Sequence, residues 1–287
     1  MDNSINGHTK VLGLIGDPIE HSLSPGIHNT ICRHLNLNYT YVPFRVSPDN
    51  LKEAVKGFKA LGVTGFNVTI PHKKDIIKYL DEVSKEALLM GAVNTVKNIE
   101  GKLYGYNTDG EGLIKSFKSE HISIKDKKVV VIGAGGASRG ICIKMAMEGV
   151  RHITILNRTR DKADNICNVI NSNIQDIARS AEWDGSTLRQ YGEQCDVLIH
   201  TTPIGMYPET HRCPVKDFDF IHSNMVVCDL IYNPFKTVLL QKAEEKGCKI
   251  VNGWGMLLFQ AISAFEIWTG VKIHRDLINR LQKVNRS

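Results

Sequence analysis

The chain has 287 residues, with 36 Lys and Arg against 30 Asp and Glu, so its formal net charge is +6. Hydrophobic residues make up 42% and charged residues 23%, a globular composition that argues against disorder and fibrous repeats. No apolar run approaches the roughly 20 residues of a membrane helix, so we expect no membrane-spanning segment. Because acidic residues are interleaved with the basic ones, we expect an anionic small-molecule substrate rather than a nucleic acid as the binding partner.

The cysteines predict a reducing environment. There are seven of them, an odd number, scattered along the chain with no C-x-x-C spacing. This pattern is typical of reduced thiols rather than of a disulfide framework or a zinc site. The polar N-terminus also lacks the apolar core of a signal peptide. We therefore expect a cytoplasmic protein without a bound metal, working as a monomer or a homodimer.

Strands and helices alternate along the first part of the chain. Short apolar runs bounded by turn residues predict strands at 10–15, 39–44 and 65–70. Ser24-Pro25 resembles an N-cap with proline at the first helical position, which predicts a helix to about Leu35. An apolar stripe predicts a second helix from 51 to 61. Two short helical stretches follow, and then a hairpin whose strands are 93–97 and 103–106.

From about residue 110 the pattern becomes that of a parallel sheet. The β-branched run at 129–132 predicts a central strand, followed by a glycine-rich turn, a helix to about 148 and a strand at 152–156. Further strands are predicted at 196–200, 225–229 and 249–251, with a helix at 236–246. The segment 254–282 predicts two helices. The fold class is therefore α/β, with an α/β unit before a dinucleotide-fold unit.

The glycine-rich turn predicts a dinucleotide site. Gly133 permits a tight turn, and Gly135 lets a phosphate approach the backbone at a helix N-terminus. Ser138 stands where the usual pattern has a third glycine. Methyltransferases share such a turn, so the turn alone leaves an S-adenosylmethionine site open.

The end of the next strand favours NADP. NAD sites place Asp or Glu there to bind the ribose 2′-hydroxyl, whereas this chain has Asn157-Arg158-Thr159. A guanidinium can bind a 2′-phosphate through two parallel hydrogen bonds, which a carboxylate would repel. Asp161 lies close by, so the sequence predicts a preference for NADP with NAD as a weaker alternative. The other interpretation is that Arg158 is only a solvated residue at a helix start.

Seven blocks identify a family. Those before the glycine turn contain Ser22-Leu23-Ser24-Pro25, Asn67 to Lys73, Gly91 to Thr95 and Gly105 to Gly110; those after it run from His200 to Met206, Asp229 to Pro234 and Gly253 to Gln260. With these blocks in order, the chain resembles shikimate dehydrogenase from about residue 11 to 270. The resemblance implies reversible NADP-dependent oxidation of shikimate to 3-dehydroshikimate, in the route to aromatic amino acids.

The resemblance also implies an organisation and a site. It implies an N-terminal substrate domain at 1–109, a Rossmann-like NADP-binding domain at 110–252, and C-terminal helices at 253–287 that return to the first domain. Lys73 and Asp109 would be the catalytic pair. Substrate would be bound by Ser22, Ser24, Thr69, Asn94, Tyr232 and Gln260. The cofactor would be bound by Gly133, Gly135, Gly136, Ala137, Asn157, Arg158, Thr159, Lys162, Thr202, Pro203, Met206 and Gly253.

Two departures and three alternatives remain. His200 stands where the family often has Asn, and Lys162 where many NADP-specific members have Arg, which affects cofactor geometry rather than the reaction. The nearest alternative is quinate or dual quinate/shikimate dehydrogenase activity, since quinate differs by one hydroxyl at the carboxylate-bearing carbon. A non-catalytic dinucleotide-binding regulator and a methyltransferase are more distant alternatives.

Overall fold

The structure, a computed structural model, describes residues 5–283. Its contacts divide the chain into two compact units, Met1–Thr108 with Gln260–Ser287, and Asp109–Phe259. The boundary between Phe259 and Gln260 falls inside one continuous helix, α9 (Gly253–Thr269), whereas the predicted first domain includes all of that helix. The functional domain boundaries given above stay a prediction.

The first unit is built on a mixed six-stranded sheet. Its elements up to Thr108 are β1 (Lys10–Gly16), α1 (Ser24–His34), β2 (Tyr39–Arg45), α2 (Leu51–Ala60), β3 (Gly65–Val68), β4 (Glu82–Val83), α3 (Lys85–Met90), β5 (Thr95–Ile99) and β6 (Lys102–Tyr106), with 3₁₀ turns at Pro48–Asn50 and Asp75–Tyr79. The strand order is β2-β1-β3-β5-β6-β4. The strands β1, β2 and β3 run parallel, and β5 is antiparallel to both β3 and β6.

The C-terminal part of the chain returns to the first unit, where α9 packs on this sheet. Residues from Gln260 onward, which include the rest of α9 and α10 (Arg275–Lys283), belong to the first unit. The Trp268 indole N–H donates to the Val96 carbonyl at 2.8 Å. The same indole lies directly over Gly65, where any Cβ would collide with the ring. A glycine at the start of β3 therefore gives the tryptophan its place on the sheet.

Three local predictions for this unit differ from the structure. Helix α1 begins at Ser24 itself; its N-cap is Leu23, and no side chain caps it. Strand β3 ends at Val68 rather than at residue 70. The Thr69 N–H still donates to the Ile15 carbonyl of β1 at 2.9 Å, but Pro71 has no N–H with which to continue the ladder. The predicted hairpin is present, but its turn is only Glu100-Gly101, both at positive φ.

The second unit is a parallel six-stranded sheet with helices. Its elements are α4 (Asp109–Ser119), β7 (Lys128–Ile132), α5 (Gly136–Met147), β8 (His152–Asn157), α6 (Arg160–Asn173), β9 (Ala178–Glu182), α7 (Gly185–Gly192), β10 (Val197–His200), β11 (Val226–Asp229), α8 (Val238–Glu245) and β12 (Lys249–Val251). The strand order is β12-β11-β10-β7-β8-β9, with every pair parallel. This is the order of dinucleotide-binding sheets, in which the direction of winding reverses between β7 and β10.

The sheet of the second unit is buried as its composition predicts. Val129, Val130, Val131 and Ile132 of β7 are all at most 2% exposed. β-branched residues at successive positions suit a strand that is covered on both faces. Among residues 5–283, no helix combines the length and apolar character needed to cross a bilayer.

Candidate active site

A buried polar network lies at the centre of the first unit. The Asn67 amide donates to the Asn94 carbonyl at 3.0 Å and to the Thr95 hydroxyl at 3.1 Å, and its oxygen accepts from the Tyr41 phenol at 2.8 Å. Asn94 in turn accepts from the Thr108 backbone N–H at 2.9 Å and donates to its hydroxyl at 3.0 Å. All five residues are at most 5% exposed. Because buried polar groups in such networks satisfy one another, the loop before β5 and the end of β6 are held in a single geometry.

The two predicted serines lie at the start of α1, at the edge of this network: Ser22 is in the loop after β1, and Ser24 is the first residue of the helix. Ser24 is buried, and its hydroxyl faces the Tyr41 phenol oxygen. Ser22 is half-buried and accepts from the Ser24 N–H at 3.3 Å. Since Ser24 does not cap α1, its hydroxyl is not used for that purpose, which leaves it suited to a ligand at the helix's positive end.

Thr69 and Lys73 follow β3. The Thr69 carbonyl accepts from His72 N–H at 2.9 Å, closing a turn that brings the chain to Lys73. The Lys73 carbonyl accepts from the Val93 N–H at 2.8 Å, so Lys73 lies beside the residue preceding Asn94. Lys73 is half-buried, whereas its neighbour Lys74 is exposed. The structure therefore brings Thr69, Lys73 and Asn94 to one end of the sheet.

The remaining residues of the predicted catalytic and substrate site belong to different parts of the chain. Gln260 is 8% exposed and lies in α9, within the first unit. Asp109 is the first residue of the second unit and of α4, and follows Thr108 directly. Tyr232 also belongs to the second unit, after β11, where burial raises the pKa of its phenol. Gly253 packs so closely on the backbone of Leu230 that no side chain fits there.

The glycine turn leaves β7 and enters α5. Gly133 has φ +108°, and a Cβ on it would meet Thr201 Oγ1 at 2.5 Å and Thr202 Cγ2 at 2.9 Å. By contrast, Gly135 and Gly136 have open space where a side chain would stand. Ser138, at the position of the usual third glycine, is fully buried and donates to the Gly133 carbonyl at 2.6 Å. The Ser138 hydroxyl is therefore bonded to the inner side of the turn, and the N-terminus of α5, including Ala137, stays open to a phosphate.

Cations line the end of β8. The Asn157 side chain accepts from the Ala134 N–H at 3.2 Å and donates to the Thr159 carbonyl at 2.8 Å, which ties this loop to the glycine turn. Arg158 and Lys162 are exposed. Within residues 5–283, the Arg158 side chain has no hydrogen-bond or ion-pair partner, so its guanidinium is available to an anion.

The third part of the predicted cofactor site follows β10. In the sheet, His200 of β10 is in register with Ile132 of β7, which is in register with Leu156 of β8. The loops after all three strands therefore leave from one edge. Thr202 is half-buried, and Pro203 and Met206 are exposed in the loop that follows. The structure thus gathers the predicted cofactor residues of the second unit at the carboxyl edge of its sheet, where Gly253 follows β12 and its N–H donates to the Ile231 carbonyl at 3.1 Å.

Several polar residues were missed by the sequence analysis. Asn67, Thr95 and Thr108 belong to the buried network, and Arg139 in α5 donates to the Asn165 side chain of α6 at 2.5 Å. Asparagine and threonine inside otherwise apolar strand segments were the available signal, since such residues are buried only with partners. In the described part of the chain, no group of three or more His, Cys, Asp or Glu is placed to hold a metal ion.

Comparisons with known proteins agree with this architecture. Three family models match: "Shikimate dehydrogenase substrate binding domain" at residues 14–96, "Shikimate / quinate 5-dehydrogenase" at 115–205 and "Shikimate 5'-dehydrogenase C-terminal domain" at 253–280. A shikimate dehydrogenase (NADP(+)) from Alkaliphilus metalliredigens is 46% identical over 282 residues, 98% of this chain and 99% of the relative.

Solved structures extend the similarity to three dimensions. The shikimate 5-dehydrogenase of Listeria monocytogenes, in complex with shikimate and NAD, is 41% identical with a TM-score of 0.93, over 97% of this chain and 98% of that one. A shikimate dehydrogenase in complex with NADP+ is 44% identical with a TM-score of 0.89, over 97% and 96%. The parallel sheet order and its glycine turn are those of a dinucleotide-binding domain, and the matching relatives are dehydrogenases, so the chain is a dinucleotide-dependent oxidoreductase. Within that class, the chain belongs to the shikimate dehydrogenase family.

Proposed function

We propose that this chain catalyses the reversible NADP-dependent oxidation of shikimate to 3-dehydroshikimate, a step in aromatic amino acid biosynthesis. The observation that carries the proposal is the buried network of the first unit, which holds Asn94 and Thr108 beside two residues of the predicted site. Lys73 is bonded through its carbonyl to the residue before Asn94, and Asp109 follows Thr108 in the chain. The network therefore fixes the backbone beside Lys73 and the residue that directly precedes Asp109 in the chain.

The residues of the second unit fit NADP. The turn at Gly133, the open faces of Gly135 and Gly136 and the first turn of α5 suit a pyrophosphate, since backbone N–H groups there lack helical partners. Arg158 and Lys162 supply positive charge where a 2′-phosphate would lie, and the described residues after β8 up to Thr159 include no carboxylate that would accept from a ribose 2′-hydroxyl. Asp161 lies in the first turn of α6, so NAD stays a weaker alternative.

The protein's own part in the reaction is to bind the substrate and move a proton. NADP+, when bound, supplies the nicotinamide that takes a hydride from the carbinol carbon. We assign to Lys73, acting with Asp109, the exchange of the hydroxyl proton, which contributes about 10²–10⁴-fold in such reactions. The two groups are treated as a coupled pair, without assigning the proton to one of them. Ser22 and Ser24 would donate to the substrate carboxylate, helped by Tyr232. Thr69, Asn94 and Gln260 would contact the substrate hydroxyls or the carboxylate end.

The direct test is a matrix of four assays, in which shikimate and quinate are each offered with NADP+ and NAD+ and the absorbance of reduced nicotinamide is followed. We expect the highest kcat/KM for shikimate with NADP+. Equal or higher values with quinate would favour the dual-substrate alternative, which the shikimate/quinate family model keeps open. Turnover in none of the four assays would contradict the proposal.

We expect Arg158→Ala to weaken NADP+ binding about 10- to 100-fold, the range for a hydrogen-bonded charged group, and NAD+ binding much less. The reason is that only NADP+ carries the 2′-phosphate that this exposed guanidinium would bind. Isothermal titration of the purified protein with each nucleotide measures both values. Arg160→Ala is the matched control, because Arg160 lies two residues away and its charge faces Asp164 at 3.9 Å. Equal losses for both nucleotides would remove Arg158 from the 2′-phosphate site.

Ser22→Ala and Ser24→Ala are each expected to raise the KM for shikimate about tenfold or more, while kcat changes less, because a hydroxyl bonded to a carboxylate is lost. Steady-state kinetics at saturating NADP+ measure the effect. Ser47→Ala is the control, since Ser47 also precedes a proline at a helix start and makes no side-chain cap. A loss of thermal stability with unchanged KM would mean that the two serines only shape the loop.

We infer a cytoplasmic location from the thiols. None of the seven cysteines forms a disulfide, and all except the half-buried Cys213 are buried. This pattern is typical of proteins kept in a reducing compartment.

A further inference from the structure

His200 ends β10 and is fully buried with Asp229, the last residue of the neighbouring strand β11. The imidazole Nδ1 lies 3.0 Å from Asp229 Oδ1, and its Nε2 lies 2.5 Å from Thr202 Oγ1. Both side chains of the His200–Asp229 pair have 0% exposure. A buried pair of this kind needs its remaining donors and acceptors satisfied, which makes its hydrogen bonds informative about its role.

Both oxygens of the Asp229 carboxylate accept further hydrogen bonds. Its Oδ1 also accepts from the Ile231 N–H at 3.1 Å, and its Oδ2 accepts from the Thr237 hydroxyl at 2.7 Å. Thr237 in turn caps α8, accepting from the Leu240 N–H at 3.4 Å. The carboxylate is therefore fixed by the helix that follows β11, and it presents Oδ1 to His200 as an acceptor.

This arrangement selects one tautomer of His200. Because the Asp229 carboxylate already accepts two other hydrogen bonds, the Nδ1–H of His200 donates a hydrogen bond to it. Nε2 then accepts a hydrogen bond from the Thr202 hydroxyl. The Thr202 oxygen keeps a lone pair for the Ile204 N–H at 3.4 Å. In this series of hydrogen bonds, which runs from the Thr237 hydroxyl through Asp229, His200 and Thr202 to the Ile204 N–H, every donor thus has an acceptor.

Thr202 is oriented between His200 and the glycine turn. Its hydroxyl is bonded to His200, while its methyl carbon lies 2.9 Å from where a Cβ on Gly133 would stand. Rotation about χ1 that moved the hydroxyl away would also move the methyl group from the face of Gly133. The imidazole therefore fixes both sides of Thr202 and the start of the loop 201–206.

We propose that His200 is a positioning residue, which through Asp229 and Thr202 holds the loop 201–206 against the Gly133 turn in the shape that the nucleotide requires. The inference rests on the proposed use of NADP, and it deepens that proposal by assigning a role to a residue that is itself fully buried.

Two amide substitutions separate the two bonds of the imidazole. In His200→Asn the amide nitrogen occupies roughly the place of Nδ1, so the bond to Asp229 is kept and that to Thr202 is lost. In His200→Gln the amide reaches the place of Nε2, so the bond to Thr202 is kept and that to Asp229 is lost. We expect His200→Asn to bind NADP+ about tenfold more weakly with a Tm near wild type. We expect His200→Gln to lower Tm clearly while NADP+ affinity stays within about threefold of wild type.

Thr202→Val supplies the coupling test, because it removes the hydroxyl and keeps a methyl group over Gly133. It should weaken NADP+ about as much as His200→Asn does, and the double variant His200→Asn/Thr202→Val should lose little more. Calorimetric titration with NADP+ and thermal melting of the cofactor-free protein measure both quantities. Additive losses, or NADP+ affinities that follow Tm across all variants, would show that His200 only stabilises the sheet and would overturn the proposal.

A further measurement, which needs no nucleotide, determines which imidazole nitrogen of His200 carries the proton. In the cofactor-free protein, ¹⁵N NMR of the imidazoles should show His200 protonated at Nδ1, and its unprotonated Nε2 resonance should shift in Thr202→Val. A His200 protonated at Nε2, or one that does not respond to Thr202→Val, would overturn the proposal whatever the enzyme does. If the NMR spectra show this protonation but the wild-type protein binds neither nucleotide, the proposed function is wrong, while the hydrogen bonds of His200 are confirmed. Failure of the proposed function is thereby distinguished from failure of the inference about His200.

Discussion

Lys73→Ala is expected to lower kcat by at least about 100-fold and to change the KM for shikimate much less, because the residue is assigned to proton exchange rather than to binding. The effect corresponds to about 3 kcal/mol of transition-state stabilisation. Steady-state rates in both directions, at saturating cofactor, measure it. A Lys73→Ala variant that kept a tenth of wild-type kcat would remove this lysine from the chemistry.

The chain provides a matched control in the next residue. Lys74 has the same side chain one position along, but it is exposed, whereas Lys73 is half-buried beside the loop that contains Asn94. Lys74→Ala should retain nearly wild-type kcat and KM. A loss as large as that of Lys73→Ala would mean that charge in this segment, rather than the position of one ammonium, matters for turnover.

The proposed coupling to Asp109 has its own consequence. If the two groups work as a unit, Asp109→Asn should lower kcat by a similar factor, and the double variant should be little worse than either single one. Glu111→Gln is the control, since that carboxylate lies two residues further along α4 and pairs with Lys144 at 3.2 Å. Multiplicative losses in the double variant would show that Lys73 and Asp109 act independently.

The glycine turn and the strands beside it were predictable because their determinants are local. A β-branched run suits a strand covered on both faces, and the glycines that follow it meet a backbone requirement, since Gly133 has φ +108°. The positive charge after β8 is likewise predictable, because Arg158 and Lys162 closely follow the strand in the sequence. Such features depend on a few consecutive positions, so the sequence alone indicates them.

The buried network of the first unit was not predictable in this way. Asn67 and Asn94 are 27 residues apart, and Asn94 and Thr108 are 14 apart. Their contact depends on the register in which β3 pairs with β5, where Asn67 lies opposite Thr95. That register is set by packing over the whole sheet, so a polar residue in an apolar strand predicts a partner without saying which one.

Of the elements that were not predicted, which include the helices α4 and α6, two are marginal in composition. Strand β9 has the sequence Ala178 to Glu182, without the branched or aromatic residues of a typical strand, and it pairs only with β8 at the sheet edge. Helix α7 spans just Gly185–Gly192. Tertiary contacts form these elements, since their intrinsic propensities favour no regular structure.

A second large effect is expected from His28 on the acid stability of the first unit. His28 is fully buried, stacked on Tyr41 at 4.3 Å between ring centroids and close to Trp268 at 5.2 Å. Asn67 faces the imidazole, but neither ring nitrogen has a hydrogen-bond partner among the described residues. Burial without such a partner lowers the pKa of His28 from 6.5 to about 3. The folded protein therefore holds this imidazole neutral in mildly acidic solution.

The sign of the pH dependence follows from proton uptake. Between pH 6.5 and 3 the unfolded chain binds a proton at His28 that the folded protein does not bind, so this contribution to stability is present above pH 6.5 and is lost as the pH falls. The loss amounts to about 2 kcal/mol between pH 7 and pH 5, and it grows further toward pH 3. Denaturant unfolding followed by tryptophan fluorescence suits the measurement, because Trp268 lies against His28.

His28→Phe isolates this term, since phenylalanine keeps an aromatic ring against Tyr41 and Trp268 but binds no proton. The difference in unfolding free energy between wild type and His28→Phe should move by about 2 kcal/mol in favour of the variant when the pH is lowered from 7 to 5. His34→Phe, at an exposed position of the same helix, should follow the wild-type profile. A difference between wild type and His28→Phe that stays constant over this range would mean that His28 is protonated in the folded protein, and that the cavity around it admits a charge.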